Sequence, residues 1–145
     1  NHTVRSNAVQ RYCDGKDGRR CTPCYSLIRR YRQGQRRSHG SHRDGHAIVT
    51  VVVSLTDYGV DYRGGLYVAS ANSDRRFIAL RKGDGVVHRS DLLHGVKVFP
   101  VGKEDYEDGN MERWSWILWF VDSETCEGEY GYEWYVVFER EAQEF

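Results

Sequence analysis

No apolar run in this chain approaches the roughly 20 residues that a membrane-crossing helix needs, so a membrane segment is not expected. Amphipathic helical periodicity is missing between its turn signals, which argues against a parallel sheet flanked by helices. Internal repeats and low-complexity tracts are absent too. Net charge is lacking as well, since 21 Lys and Arg balance 21 Asp and Glu. That balance conceals a split: residues 1–46 carry eleven basic side chains against three acidic ones, and residues 101–145 carry three against thirteen. The basic beginning is expected to lie against the acidic end, or both to form solvated faces. An acidic peptide or a phosphate backbone is the alternative partner for the Arg-rich stretch. The chain starts at Asn1 with neither an initiator Met nor a signal peptide, which reads as a trimmed fragment.

What is present suits one globular domain: 145 residues, 39% of them apolar, with abundant Tyr and Trp. Residues 1–24 read as a Cys-containing leader or loop, because "CDGKDGRRCTPC" supplies turn punctuation without a period. Residues 25–145 read as the folded domain. The four cysteines permit three disulfide pairings, and Cys21 with Cys24 could instead be half of a zinc site completed by Cys13 and His2 or His39. "YSLIRRYR" fits a strand or a short helix, and "RQGQRRSHGSHRDG" reads as a loop. Strands are expected over Ala47 to Thr56 and in "LYVAS", "FIAL", "GVVH", "GVKVFPV" and "RWSWILWFV", with "YEWYVVFER" as a further edge strand. "DYGVDYRGG", "ANSDRR" and "GDG" read as turns. Many short strands with no helix between them predict an all-β sandwich or jelly roll.

Four side chains then stand out. His42 and Asp44 in "SHRDGH", His94 in "DLLHGV" and Arg113 in "ERWSWILWF" combine two imidazoles, a carboxylate and a guanidinium. The first three can occupy one face of a six-coordinate Fe(II) and leave positions open. Arginine's paired planar donors match a carboxylate. Equal parity puts His42 and Asp44 on one face if the strand runs through both. Each residue has a plainer alternative: a turn for His42 and Asp44, a surface ion pair for Arg113, a satisfied core position for His88. His39 and His46 are decoys beside the motif. The Trp114, Trp116 and Trp119 cluster reads as barrel-wall packing, with at most one ring reaching a ligand.

The order His-x-Asp, apolar strand, Gly-Gly, "GDG", "LLHGV" and Arg-x-Ser in an aromatic strand resembles the Fe(II)/2-oxoglutarate-dependent dioxygenases, and within them the prolyl 4-hydroxylase-like branch. The resemblance covers roughly Leu27 to Val121. It implies a double-stranded β-helix of jelly-roll or cupin-like type, with iron ligands His42, Asp44 and His94. It also implies Arg113 as the partner of the distal 2-oxoglutarate carboxylate, with Tyr31, Thr50 and Ser115 lining the co-substrate pocket. The implied activity is hydroxylation of an organic substrate with release of succinate and CO2, with ascorbate as a candidate reductant. The implied substrate is a peptidyl side chain such as proline; a small metabolite or nucleic acid, or a binding module without turnover, are the alternatives. The acidic stretch "KEDYEDGNME" departs from the family pattern and makes Lys103 a competitor of Arg113 by counting, although the strand context favours Arg113.

Overall fold

The computed structural model describes residues 21–70, 72, 74–102, 111–122, 126 and 136–138. Nine strands make up the regular structure among them: β1 Cys21–Arg32, β2 Ser38–His42, β3 Val49–Ser54, β4 Arg63–Ala69, β5 Arg75–Phe77, β6 Gly85–Arg89, β7 His94–Phe99, β8 Glu112–Asp122 and β9 Val136–Phe138. The β-branched run of β3 shows why: Val49, Thr50, Val52 and Ser54 are buried while Val51 and Val53 are partly exposed, the near-alternation of a strand with one face on a core.

The pairing follows a single rule. β1 pairs with β8, β2 with β7, β3 with β6 and β4 with β5, all antiparallel. That is one long hairpin ribbon with its tip between β4 and β5. Wound on itself, the ribbon gives two facing sheets, β6-β3-β8-β1-β9 and β2-β7-β4-β5. The closing contacts are β3 on β8 and β4 on β7. This is the double-stranded β-helix of a jelly roll, so the expected all-β class holds. β9 adds to the edge of the larger sheet, parallel to β1.

Several expectations need correction. Residues 21–24 belong to β1, which pairs Cys21 with Asp122, so these four are strand rather than leader. "YSLIRRYR" is strand throughout. The stretch expected as a loop before the His-x-Asp motif contains β2, whose Gly and Ser content hides it from propensity. Gly64 and Gly65 lie inside β4 at φ 74° and 88° rather than in a turn. The "FIAL" strand sits earlier, as β5. Cys24 is bridged to Cys126 across 102 residues, and Cys21 is disulfide-bonded as well, so neither is left for a zinc site. A loop of that length corresponds to about 4–5 kcal/mol of removed chain entropy.

The core between the sheets gathers Tyr31, Tyr62, Leu66, Val96, Val98 and Met111. On the larger sheet, register carries one face across the strands: Thr50 is level with His88 and Trp119, and Ser54 with Ser115. Trp119 shares this inner parity, whereas Trp114 and Trp116 fall on the opposite face, where Arg30 covers Trp114 at 5.3 Å.

Candidate metal centre and anion pocket

The ribbon pairing that folds the chain also collects the site. His42, the last residue of β2, is paired with His94, the first residue of β7. Asp44 lies beyond the end of β2, so strand parity does not join it to His42; it opens a turn in which the Ala47 N–H donates to the Asp44 carbonyl at 2.9 Å. His42 Nε2 sits 3.4 Å from Asp44 Oδ1, and His94 Nε2 sits 3.8 Å from Oδ2. One ligand atom from each of the three lies within 4.8 Å of the others.

The protonation pattern suits a cation. His42 Nδ1 is 2.8 Å from the Gly40 carbonyl, and His94 Nδ1 is 3.0 Å from that of Leu92. A carbonyl oxygen only accepts, so each Nδ1 carries a hydrogen and each Nε2 is the ring nitrogen turned toward Asp44. Burial pushes the Asp44 carboxyl up, but the Thr50 hydroxyl, donating to Oδ2 at 2.6 Å, and the surrounding histidines outweigh it and hold the group below its ordinary value. Burial likewise holds His94 below the usual imidazole value, favouring the neutral ring, against the opposing pull of the Leu92 carbonyl. Two imidazoles and one ionised carboxylate form a donor set that a divalent first-row metal such as Fe(II) fits.

Arg113 occupies a different environment. It is 1% exposed, which removes the surface ion-pair alternative. Its strand partner is Tyr31, and the rings of Tyr31 and Tyr62 stand 5.7 and 5.6 Å from the guanidinium carbon. Nη1 donates to Ser115 Oγ at 3.2 Å. Among the described residues, Nε and Nη2 have no hydrogen-bond partner and no carboxylate pairs with the group. An uncompensated buried charge costs on the order of several kcal/mol, and an anion is the chemical class of ligand that would offset it. Burial pushes the Tyr31 phenol up, partly offset by the charges of Arg29 and Arg113, so it remains a neutral hydroxyl.

The sequence-derived residues therefore divide into two groups. His42, Asp44 and His94 come together, buttressed by Thr50, whose hydroxyl donates to the carboxylate. Arg113, Tyr31 and Ser115 form the second group. Lys103 lies outside the described residues. Decoys His39 and His46 sit nearby: the His39 ring is 4.4 Å from that of His42, and exposed His46 packs 5.6 Å from Tyr25.

Two contributors, Tyr62 and Gly65, escaped the sequence reading, and a third, His88, reads from the sequence as a satisfied core residue. Tyr62 is fully buried against the guanidinium, in a segment that looked like a turn. Gly65 makes room for both: a Cβ there would meet Tyr62 at 2.8 Å and Arg113 Nε at 3.4 Å. His88 faces Asp44 from β6. The signal for Gly65 was its place in a Gly-Gly pair just after Tyr62.

No family model matches the chain, and no curated protein matches it. Solved structures do. A prolyl hydroxylase from Trichoplax adhaerens, in complex with a hypoxia inducible factor oxygen degradation domain peptide fragment, superposes with a TM-score of 0.55 at 17% identity, over 85% of this chain and 56% of its own. A prolyl-4-hydroxylase from Pseudomonas putida gives 0.48 at 19% identity, over 66% and 49%. A 2OG-Fe(II) oxygenase family oxidoreductase from Burkholderia pseudomallei gives 0.48 at 20%, over 65% and 41%. The chain thus spans about half the length of these structures. The first likeness shows a shared fold, in agreement with the wound ribbon of strands.

Proposed function

We propose that this chain is the double-stranded β-helix part of an Fe(II)- and 2-oxoglutarate-dependent dioxygenase that hydroxylates a peptidyl side chain such as proline. The observation that carries the reading is a fully buried guanidinium with two unpartnered nitrogens, on the inner face of the sheet that also bears Thr50 beside the His42, Asp44 and His94 cluster. Four residues of β3, about 13 Å at strand rise, separate the level of Ser54 and Ser115 from that of Thr50. A ligand serving both ends must be extended, with a carboxylate at one end and a metal-binding group at the other, as 2-oxoglutarate is.

Each residue then has a role. His42 Nε2, Asp44 and His94 Nε2 would hold the iron. Thr50 fixes Asp44 by donating to Oδ2. Arg113 would bind the distal carboxylate with Nε and Nη2, while Ser115 holds Nη1 and the Tyr31 and Tyr62 rings keep the guanidinium in place and water away. Fe(II), when bound, supplies the oxygen chemistry that couples decarboxylation of 2-oxoglutarate, giving succinate and CO2, to hydroxylation of a substrate C–H bond; ascorbate is the candidate reductant. The peptidyl substrate is supported by the resemblance to the prolyl 4-hydroxylase-like branch and by the shared fold with a hydroxylase solved with a peptide.

The test is succinate release by the Fe(II)-loaded protein, with a panel of proline-containing peptides and a matched panel lacking proline. Peptide-dependent succinate confined to the first panel supports the reading. Absence of 2-oxoglutarate binding to the metal-loaded protein would overturn it.

A further inference from the structure

The smaller sheet carries one row of residues through the metal cluster. His42 on β2 is opposite His94 on β7, His94 is opposite Val68 on β4, and Val68 is opposite Arg76 on β5. Directly opposed residues of an antiparallel pair share a face. That face is the inner one, because Leu66, two residues before Val68, and its partner Val96 belong to the core. The neighbours of Arg76 bear out the alternation: Arg75 lies over the Tyr67 ring at 4.9 Å and Phe77 packs 5.6 Å from it, both on the outer face. Arg76 is therefore an exposed cation on the metal-bearing face. It is level with His94 and two strands away, about 10 Å at ordinary strand spacing.

Two other exposed arginines flank the cluster in sequence, Arg43 between His42 and Asp44, and Arg89 after His88 at the end of β6. Both are engaged by one residue: Arg43 Nε donates to the Asp91 carbonyl at 3.1 Å, and Arg89 Nη2 is 3.0 Å from Asp91 Oδ2. Arg76 is in a different position. Among the described residues no ion pair includes it, and none of the four strands of its sheet carries an acidic residue. We propose that Arg76 is a substrate-selecting residue, which takes the carboxylate of an Asp or Glu side chain in the peptide whose neighbouring residue is presented to the metal. The inference rests on the peptidyl-substrate reading above and narrows it to acidic peptides. The planar paired donors of Arg match a carboxylate, and a charge at the rim of a site acts on partner choice. An extended chain rises about 3.3 Å per residue, so the acidic side chain belongs about three positions from the hydroxylated residue.

The test measures binding of proline-containing peptides to the full chain loaded with Co(II), by calorimetry, with succinate release by the Fe(II)-loaded protein read beside it. The peptides carry a single Glu moved stepwise along either side of the proline, against the same series with Gln. A Glu preference of about three- to fivefold near the third position on one side is expected in the wild type. It should be lost in Arg76→Gln and replaced by a preference for Lys in Arg76→Glu. Arg75→Gln removes an equal charge from the opposite face and should keep it. No Glu preference in the wild type, or one that survives Arg76→Gln or falls equally in Arg75→Gln, would overturn the inference; succinate release under those outcomes leaves the dioxygenase reading standing. An Arg76-dependent Glu preference in binding without succinate release supports the inference and counts against that reading instead. Arg76-dependent binding of a single-stranded oligonucleotide, tighter than that of any peptide in the series, would overturn the inference in favour of a phosphate backbone.

Discussion

Two parts of the same inner face differ in how their polar groups are satisfied. Around Asp44, the carboxylate accepts from Thr50, and the Nδ1 atoms of His42 and His94 each have a backbone carbonyl. Around Arg113, one guanidinium nitrogen has a serine hydroxyl and two have no partner among the described residues. The first part is held in shape by the protein and offers lone pairs to a cation. The second is held by two tyrosine rings and a glycine gap, and its charge has no counter-charge among the described residues. One part is preorganised by hydrogen bonds and the other by packing, so substitutions should separate them.

The largest effect is expected from Asp44→Ala, which removes the sole anionic donor of the cluster: Co(II) affinity measured by calorimetry should fall more than about a hundredfold, since even outer partners of metal ligands are worth 10–100-fold. Retained affinity would mean that Asp44 is not a ligand. Arg113→Met should act in the opposite sense on the empty protein. Replacing a buried charge by an apolar side chain of similar length is neutral or stabilising, so the melting temperature without ligand should stay level or rise. The affinity of the metal-loaded protein for 2-oxoglutarate should drop by about 2–5 kcal/mol, as when one member of a buried charged pair is truncated. A loss of stability with unchanged affinity would make Arg113 a structural residue.

Thr50→Val tests whether the hydroxyl serves the carboxylate, as the 2.6 Å contact indicates. A fall in metal affinity of about tenfold is expected, with no change in the anion pocket. The smallest effect concerns pH. His94 favours its neutral form in the folded protein, so below about pH 6.5 the unfolded chain takes up a proton that the folded ring still refuses, and stability declines as pH falls. The lowered carboxyl of Asp44 adds a second loss at more acid pH. Thermal melts of the metal-free protein should therefore shift downward between pH 7 and 5, and Arg113→Met should follow the same slope. A flat profile would show that His94 is not held neutral.

His42, Asp44 and His94 were legible in the sequence because their chemistry is unusual and their spacing ordered, even though the strand-parity argument for Asp44 was wrong in detail. Arg113 was legible because the strand that carries it is so strongly aromatic. The fold class followed from strands separated by turn residues, whereas β2 did not, since Ser-His-Gly-Ser-His has little strand propensity and is held by its pairing with β7. Tyr62 was passed over because nothing local marks it, and His88 reads as a satisfied core residue although its Nε2 has no hydrogen-bond partner among the described residues. Their roles come from long-range register, Thr50 opposite His88, and from the gap that Gly65 leaves beside the guanidinium.

The central claim is that one ligand bridges the two parts, and anaerobic spectroscopy of the protein with Fe(II) and 2-oxoglutarate tests it most directly. A weak visible charge-transfer band from the chelated keto acid is expected in the wild type. It should vanish in His42→Ala and should require far more 2-oxoglutarate in Arg113→Met. No band in the intact protein, or a band with the same 2-oxoglutarate dependence in Arg113→Met, would contradict the account.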